Sequence, residues 1–148
     1  MKVRDAVNLN PTVILPTASI PEAAAVLANS QASDLMVVDQ NRMFVGVLSE
    51  GDLIRATLPK IDEIAASGGA MNAAEIFGDK ASALRKRPLA DILIAKPITL
   101  KPDDNLLEAA ALMASRMIRR LPVVDGGKLI GTISRADVCK AILSSPAG

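Results

Sequence analysis

The chain states one pattern twice. Residues 3–57 and 89–142 lie over each other almost without gaps. Asp5 falls on Asp91, Pro11 on Pro97, Pro16 on Pro102, and Glu22-Ala23-Ala24-Ala25 on Glu108-Ala109-Ala110-Ala111. Leu35 falls on Leu121 and Val37-Val38-Asp39 on Val123-Val124-Asp125, all at an offset of 86 residues. One residue is then missing from the second copy, and Gly46, Ser49, Asp52 and Ala56 match Gly131, Ser134, Asp137 and Ala141 at an offset of 85. A register held through so many positions marks an internal duplication and predicts two similar units with a surface between them. A unit of about 55 residues buries little core by itself, so the two are expected to pack face to face.

Each copy reads strand, helix, strand, strand, helix. Thr12-Val13-Ile14-Leu15 and Ile98-Thr99-Leu100 stand between prolines, which suits a short strand and stops a helix from running through. Ser19-Ile20-Pro21-Glu22 and Asn105-Leu106-Leu107-Glu108 both fit a capping box. The helix that follows carries apolar residues at helical spacing, as in Leu106, Ala109, Ala110 and Met113. Next come the apolar runs Leu35–Val38 and Leu121–Val124, a polar turn, and a second strand from Met43 to Leu48 or Lys128 to Ile133. Gly126-Gly127 supplies the positive φ angles that a tight hairpin turn requires. A last helix begins near Ser49 or Ser134.

Residues 59–86 have no counterpart in either copy. Lys60–Ala66 and Ala70–Leu84 read as helices separated by Ser67-Gly68-Gly69 and punctuated by Gly78. Ile61, Ile64, Met71, Ile76, Phe77 and Leu84 make the stretch too apolar for a free tether, so it is expected to lie against the paired units. Lys80, Arg85, Lys86 and Arg87 form either a basic patch or a solvated helix end with cations favoured by the helix dipole.

Composition removes several classes of function. The 148 residues hold 17 Lys plus Arg against 16 Asp plus Glu, which gives no broad positive field for nucleic acid. Phe44 and Phe77 are the only aromatic residues, so there is no platform for base stacking. With no histidine there is no Ser/His or Cys/His triad. Cys139 is alone, which excludes an intramolecular disulfide and a thiolate metal cluster, and its apolar run suggests a small buried hydrophobe. No stretch approaches the roughly 18 to 20 apolar residues of a membrane span. Met1-Lys2-Val3-Arg4-Asp5 runs straight into repeat sequence without the apolar core of a signal peptide, so a cytoplasmic location is expected.

The sharpest local feature is itself repeated: Gly46-Val47-Leu48-Ser49-Glu50-Gly51-Asp52 and Gly131-Thr132-Ile133-Ser134-Arg135-Ala136-Asp137. In both, a strand ends, a hydroxyl residue starts a helix, and a carboxylate follows three residues on. Helix capping explains this pattern. A ligand offers a second explanation, which spacing alone supports less than capping: a hydroxyl beside free N–H groups at a helix start can hold a phosphate, and the carboxylate can accept both hydroxyls of a ribose.

The duplicated pattern resembles a tandem pair of CBS domains, the modules named after cystathionine beta-synthase. The resemblance covers both copies. It is carried most specifically by Arg119-Arg120-Leu121-Pro122-Val123-Val124-Asp125, the Gly126-Gly127 turn and Gly131–Asp137, while the first copy departs by having Met36 where Pro122 stands. It implies an α+β fold: two β-α-β-β-α units, residues 1–58 and 87–148, packed across their sheets with pseudo-twofold symmetry, plus the helical insertion 59–86. It also implies clefts between the units for an adenosine nucleotide, AMP first and ATP or ADP next. One cleft would combine Ser49 and Asp52 with Ile98, Ile118, Arg119 and Arg120. The other would combine Ser134 and Asp137 with Thr12, Ala32, Ser33 and Asp34. Two guanidinium groups favour a phosphate in the first cleft. Asp34, at the position of Arg120, disfavours one in the second, where Arg135 offers partial compensation.

The expected role is a noncatalytic regulatory module that passes ligand state to an unidentified effector protein, associates as a homodimer through its helices, and needs no cofactor. The alternative is a structural dimerisation module with empty or degenerate clefts. Catalysis is not expected, because the chain lacks a nucleophile motif, a P-loop pattern and clustered metal ligands.

Overall fold

The computed structural model describes residues 1–58, 61–66, 73–95 and 97–145. Pro11 and Pro16 confine β1 to Val13–Ile14. Ser19 then starts α1 (Ile20–Ser30): its Oγ accepts the Glu22 N–H at 3.1 Å, and the Glu22 carboxylate accepts the Ser19 N–H at 3.2 Å. β2 (Asp34–Val38) and β3 (Phe44–Ser49) form an antiparallel hairpin, and α2 (Glu50–Thr57) follows without a linker. α3 (Ile61–Ala66) and α4 (Ala73–Leu84) come from the insertion. The second copy contributes α5 (Leu106–Arg116), β4 (Arg120–Asp125), β5 (Lys128–Ser134) and α6 (Arg135–Ser144). The expected α+β pair is what forms.

The copies differ where one donor is missing. In the first, β1 runs parallel to β2, and the Met36 N–H donates to the Thr12 carbonyl at 3.1 Å. In the second, the equivalent of Met36 is Pro122, which has no N–H to offer Ile98. The expected strand Ile98–Leu100 therefore shrinks to a single parallel bridge between Leu100 and Val123. The two hydrogen bonds that remain join Leu100 N–H to Pro122 O at 2.9 Å and Val124 N–H to Leu100 O at 2.8 Å. The second helix cap is also simpler. The Asn105 amide oxygen accepts the Leu107 and Glu108 N–H groups at 2.8 and 3.3 Å, without the return bond seen at Ser19.

The halves are interlocked rather than merely stacked. Val3, in a short 3-10 turn at the start of the first copy, is fully buried in the core of the second with Leu106, Met113 and Ile133. Its equivalent Leu89 is buried in the core of the first with Leu27, Leu35 and Leu48. Each such side chain contributes about 1.5–3 kcal/mol by leaving water. Hydrogen bonds fix the same exchange. Asn8 and Thr132 pair in both directions at 2.8 and 3.0 Å, and the equivalent Ile94 and Val47 pair at 2.8 and 3.0 Å. These crossings need Gly131 and Gly46, because a Cβ at either would press on the Asn8 or Ile94 carbonyl oxygen inside 3.0 Å.

The symmetry axis can be located. Met43 and Lys128 are equivalent residues and form an antiparallel bridge with each other. On either side, Phe44 N–H donates to Gly127 O at 2.9 Å and Leu129 N–H to Arg42 O at 3.0 Å, again between equivalent positions. A twofold relation demands such self-pairing. Behind it, Met36, Val38, Val47 and Leu129 form a shared cluster against Phe44 and Val124. The turn glycines take the expected angles, with φ of 58° at Gly126 and 81° at Gly127.

Two expectations are corrected by burial. Cys139 is exposed on α6, because Val138 takes the core-facing position there. In α4, Ile76 and Leu84 are buried and Leu84 joins the first core, but Phe77 remains 43% exposed. Gly78 does not interrupt α4. Lys60, Ser67-Gly68-Gly69 and residues 70–72 lie outside the described residues.

Gly131→Ala is expected to cost about 1–3 kcal/mol, the usual penalty for an overpacked site. Gly78→Ala, where nothing lies within 4 Å of the added carbon, should be neutral or stabilising by up to about 1 kcal/mol. Urea unfolding midpoints check both; equal midpoints for the two variants would show that the crossing tolerates a side chain.

Candidate functional site

Both final helices begin on a serine that closes a ring with the aspartate three residues on. Ser49 Oγ accepts the Asp52 N–H at 3.1 Å and donates to Asp52 Oδ2 at 2.7 Å. Ser134 Oγ makes the same pair with Asp137 at 3.1 and 2.9 Å, and its N–H adds a bond to Asp137 Oδ2 at 2.9 Å. The local grammar is therefore shared, but the surroundings are not. Asp52 Oδ1 also accepts Arg55 Nη2 at 2.8 Å. Burial pushes the Asp52 pKa up, but the hydrogen bonds from Ser49 and Arg55 outweigh it and hold the carboxyl below its ordinary value of 3.8.

Ser49 opens onto a cleft of about 430 Å³ between the two copies. Ile118, Arg119 and Arg120 line it from the second copy. Asp52 and Ile98, the latter 39% exposed, are not among the lining residues, but the Asp52 carboxylate is hydrogen-bonded to two that are, Ser49 and Arg55. Ser33 and Asp34, expected in the opposite cleft, line this one instead. The reason is the register of the first hairpin, which pairs Asp34 with Ser49. Glu50, Gly51, Ile54, Arg55 and Met117 complete the wall. Glu50 Oε1 faces Arg119 Nη1 at 3.8 Å across the copies.

The other expected set is split. Thr12, Ala32 and Asp34 share a recess of only about 140 Å³ with Arg120 and Thr132. Asp137 instead lines a separate groove of about 580 Å³ with Asp5, Val7 and Lys140, and Ser134 lines neither. Asn8, paired to Thr132, borders both cavities and divides them. Arg120 Nη1 donates to Thr132 Oγ1 at 2.9 Å. Asp34 and Arg120, equivalent across the axis, each line both the cleft and the recess, so their charges are shared rather than assigned one to each. Arg135 does not compensate Asp34. Its Nε donates to Ile118 O at 3.0 Å, beside an apolar groove of about 450 Å³ lined by Met113, Met117 and Cys139.

Five residues of the cleft were not singled out as site residues from the sequence: Glu50, Gly51, Ile54, Arg55 and Met117. The signal was there in the register, because Gly51 and Arg55 of the first copy stand where the second has Ala136 and Lys140. Among the described residues no group of three His, Cys, Asp or Glu gathers where it could hold a metal ion, and no helix is long and apolar enough to cross a membrane.

The sequence profile of the CBS domain matches twice, over residues 3–58 and 89–144. The chain belongs to the CBS domain family. Among curated proteins, this CBS pair is 33% identical over 145 residues to the chloroplastic CBS domain-containing protein CBSX2 of Arabidopsis thaliana, covering 88% of this chain and 58% of that one. It is 30% identical to chloroplastic CBSX1 of the same plant, with the same coverage. The chain thus spans about 58% of the length of these relatives. The crystal structure of CBSX2 in complex with AMP superposes with a TM-score of 0.73 at 28% identity, covering 96% of both chains.

Ser49→Ala and Ser134→Ala are each expected to cost about 1 kcal/mol as lost helix caps. A depressed carboxyl stabilises the fold above its unfolded pKa of about 3.9, and that contribution is lost as the pH falls through the lower folded value. The stability gap between the parent CBS pair and Asp52→Asn should hold from pH 7 to about pH 5 and close below about pH 4. Urea melts across this range check the sign; a gap that widens in acid contradicts it.

Proposed function

We propose that this CBS pair is a noncatalytic regulatory module that binds an adenosine nucleotide, AMP in preference to ADP or ATP, between residues 1–58 and 87–148. The observation that carries this reading is the cleft in which Ser49, at the start of α2, faces Arg119 and Arg120 of the other copy. Its volume of about 430 Å³ falls in the range of roughly 300–1,000 Å³ common for small-molecule sites, whereas the 140 Å³ recess falls below it. The residues of the other expected set share no single cavity, because Asp137 lines the separate 580 Å³ groove, and that partition favours one tight site per chain. The cleft's lining carries Arg55, Arg119 and Arg120 against Asp34 and Glu50, a surplus suited to one phosphate group. The related CBSX2, crystallised with AMP, supports the same ligand class.

The output passes to a partner chain through a change in how the two halves, or two such modules, are related; a ligand drives that change only by its difference in affinity between states. Leu107 (60% exposed), Met117 (81%) and Leu143 (83%), with the apolar groove beside α5 and α6, favour a homodimer through these helices. A second reading, a dimerisation module with an idle cleft, draws on the Arg119–Glu50 and Arg55–Asp52 pairs, which leave fewer charges for a ligand.

Calorimetry with AMP, ADP, ATP and S-adenosylmethionine separates the two readings. AMP should bind at one site per chain, and Arg120→Asp should abolish it. Asp52→Ala should weaken AMP at least about tenfold, the loss of one charge-assisted hydrogen bond. The 2′-deoxy form of AMP should be penalised more in the parent protein than in Asp52→Ala. No heat with any of the four ligands, together with a dimer in sedimentation, would establish the second reading.

A further inference from the structure

Arg55 lies where a cation on this helix should not be. It belongs to the last turn of α2, where the helix dipole favours a positive charge, yet its guanidinium folds back to the first turn, where the dipole opposes one. Two features of the first copy hold it there. Asp52 Oδ1 accepts Nη2 at 2.8 Å. Gly51 leaves the space: a Cβ built on it would stand only 3.2 and 3.3 Å from the two terminal nitrogens of Arg55. The second copy has neither feature, since Ala136 and Lys140 occupy those positions and no bond joins Lys140 to Asp137 among the described residues. The pair is thus specific to the helix that opens on the cleft with Arg119 and Arg120, and Arg55 itself lines that cleft.

The consequence is a competition for one carboxylate. Ser49 takes Oδ2 and Arg55 takes Oδ1, so a ligand offering two hydroxyls to Asp52 meets an oxygen that already has a cationic donor. The Arg55 side chain is 71% exposed, and an ion pair so open to water is weak enough to be displaced. Once off Asp52, the guanidinium remains tethered to a helix that lines the same cleft as Arg119 and Arg120.

We propose that Arg55 is a specificity-determining residue of the nucleotide cleft: it occupies Asp52 in place of a ligand's hydroxyl pair and, when displaced by one, turns to that ligand's phosphate. This rests on the nucleotide reading of the cleft and deepens it. Adenosine displaces Arg55 and gives it nothing in return, while AMP displaces it and supplies an anion. The residue therefore widens the preference for phosphorylated over unphosphorylated nucleosides.

The test is calorimetry of adenosine and AMP on the full chain and on Arg55→Ala, with Gly51→Ala as a second variant. Gly51→Ala presses on the guanidinium, which must shift by a few tenths of an ångström against its bond to Asp52, while improving helix propensity, so it leaves the fold intact. In Arg55→Ala, adenosine should bind about threefold more tightly, because a weak competing ion pair is gone. AMP should bind about threefold more weakly, because the loss of one charge-assisted contact outweighs that relief. Gly51→Ala should tighten adenosine as well. If AMP binds the parent protein but both ligands shift in the same direction in Arg55→Ala, or neither shifts, the role of Arg55 is overturned while the site stands. If neither ligand binds the parent protein or either variant, the site reading fails and the inference fails with it.

Discussion

The exchange of leading segments between the two copies holds the rest of the molecule in place. Neither half closes its own core: Val3 completes the second and Leu89 completes the first. The backbone pairs Asn8–Thr132 and Ile94–Val47 lock these segments at close range, and Gly131 and Gly46 are the positions where that approach excludes a side chain. Units of this size bury too small a fraction of their surface to be comfortable alone. Exchange converts two marginal cores into one cooperative structure, and it fixes how the halves face each other.

That fixed relation decides the character of the cavities. The axis runs between Met43 and Lys128, so equivalent residues come to opposite sides of a common space. Asp34 and Arg120 are one such pair, and each reaches both the cleft beside Ser49 and the recess beside Thr132. Charges that look segregated along the chain are pooled in three dimensions. The asymmetry that does survive is one of volume and partition, because the Asn8–Thr132 pair separates Asp137 from Thr12, Ala32 and Asp34.

Duplication also left the two helix starts free to diverge. Ser49–Asp52 and Ser134–Asp137 keep the same hydrogen-bonded ring, which any helix start can use. Around that ring the first copy has Gly51 and Arg55, and the second has Ala136 and Lys140. A conserved ring with changed neighbours is how one fold can hold two sites of different chemistry.

What the sequence determined by itself was everything that depends on short spacing or on the register of the repeat. The duplication, the serine caps, the glycine turn and the order strand, helix, strand, strand, helix follow from local sterics and hydrogen bonding, which neighbouring residues settle among themselves. Even the loss of the strand at Ile98 was written in Pro122, although its meaning needed the partner carbonyl to be known. Tertiary structure alone decided which residues share a cavity, that Cys139 faces outward, and that Arg55 bends back across Gly51 to Asp52. These depend on the angle and distance between elements far apart in the chain, and on the volume left between them, quantities that no local pattern of residues encodes.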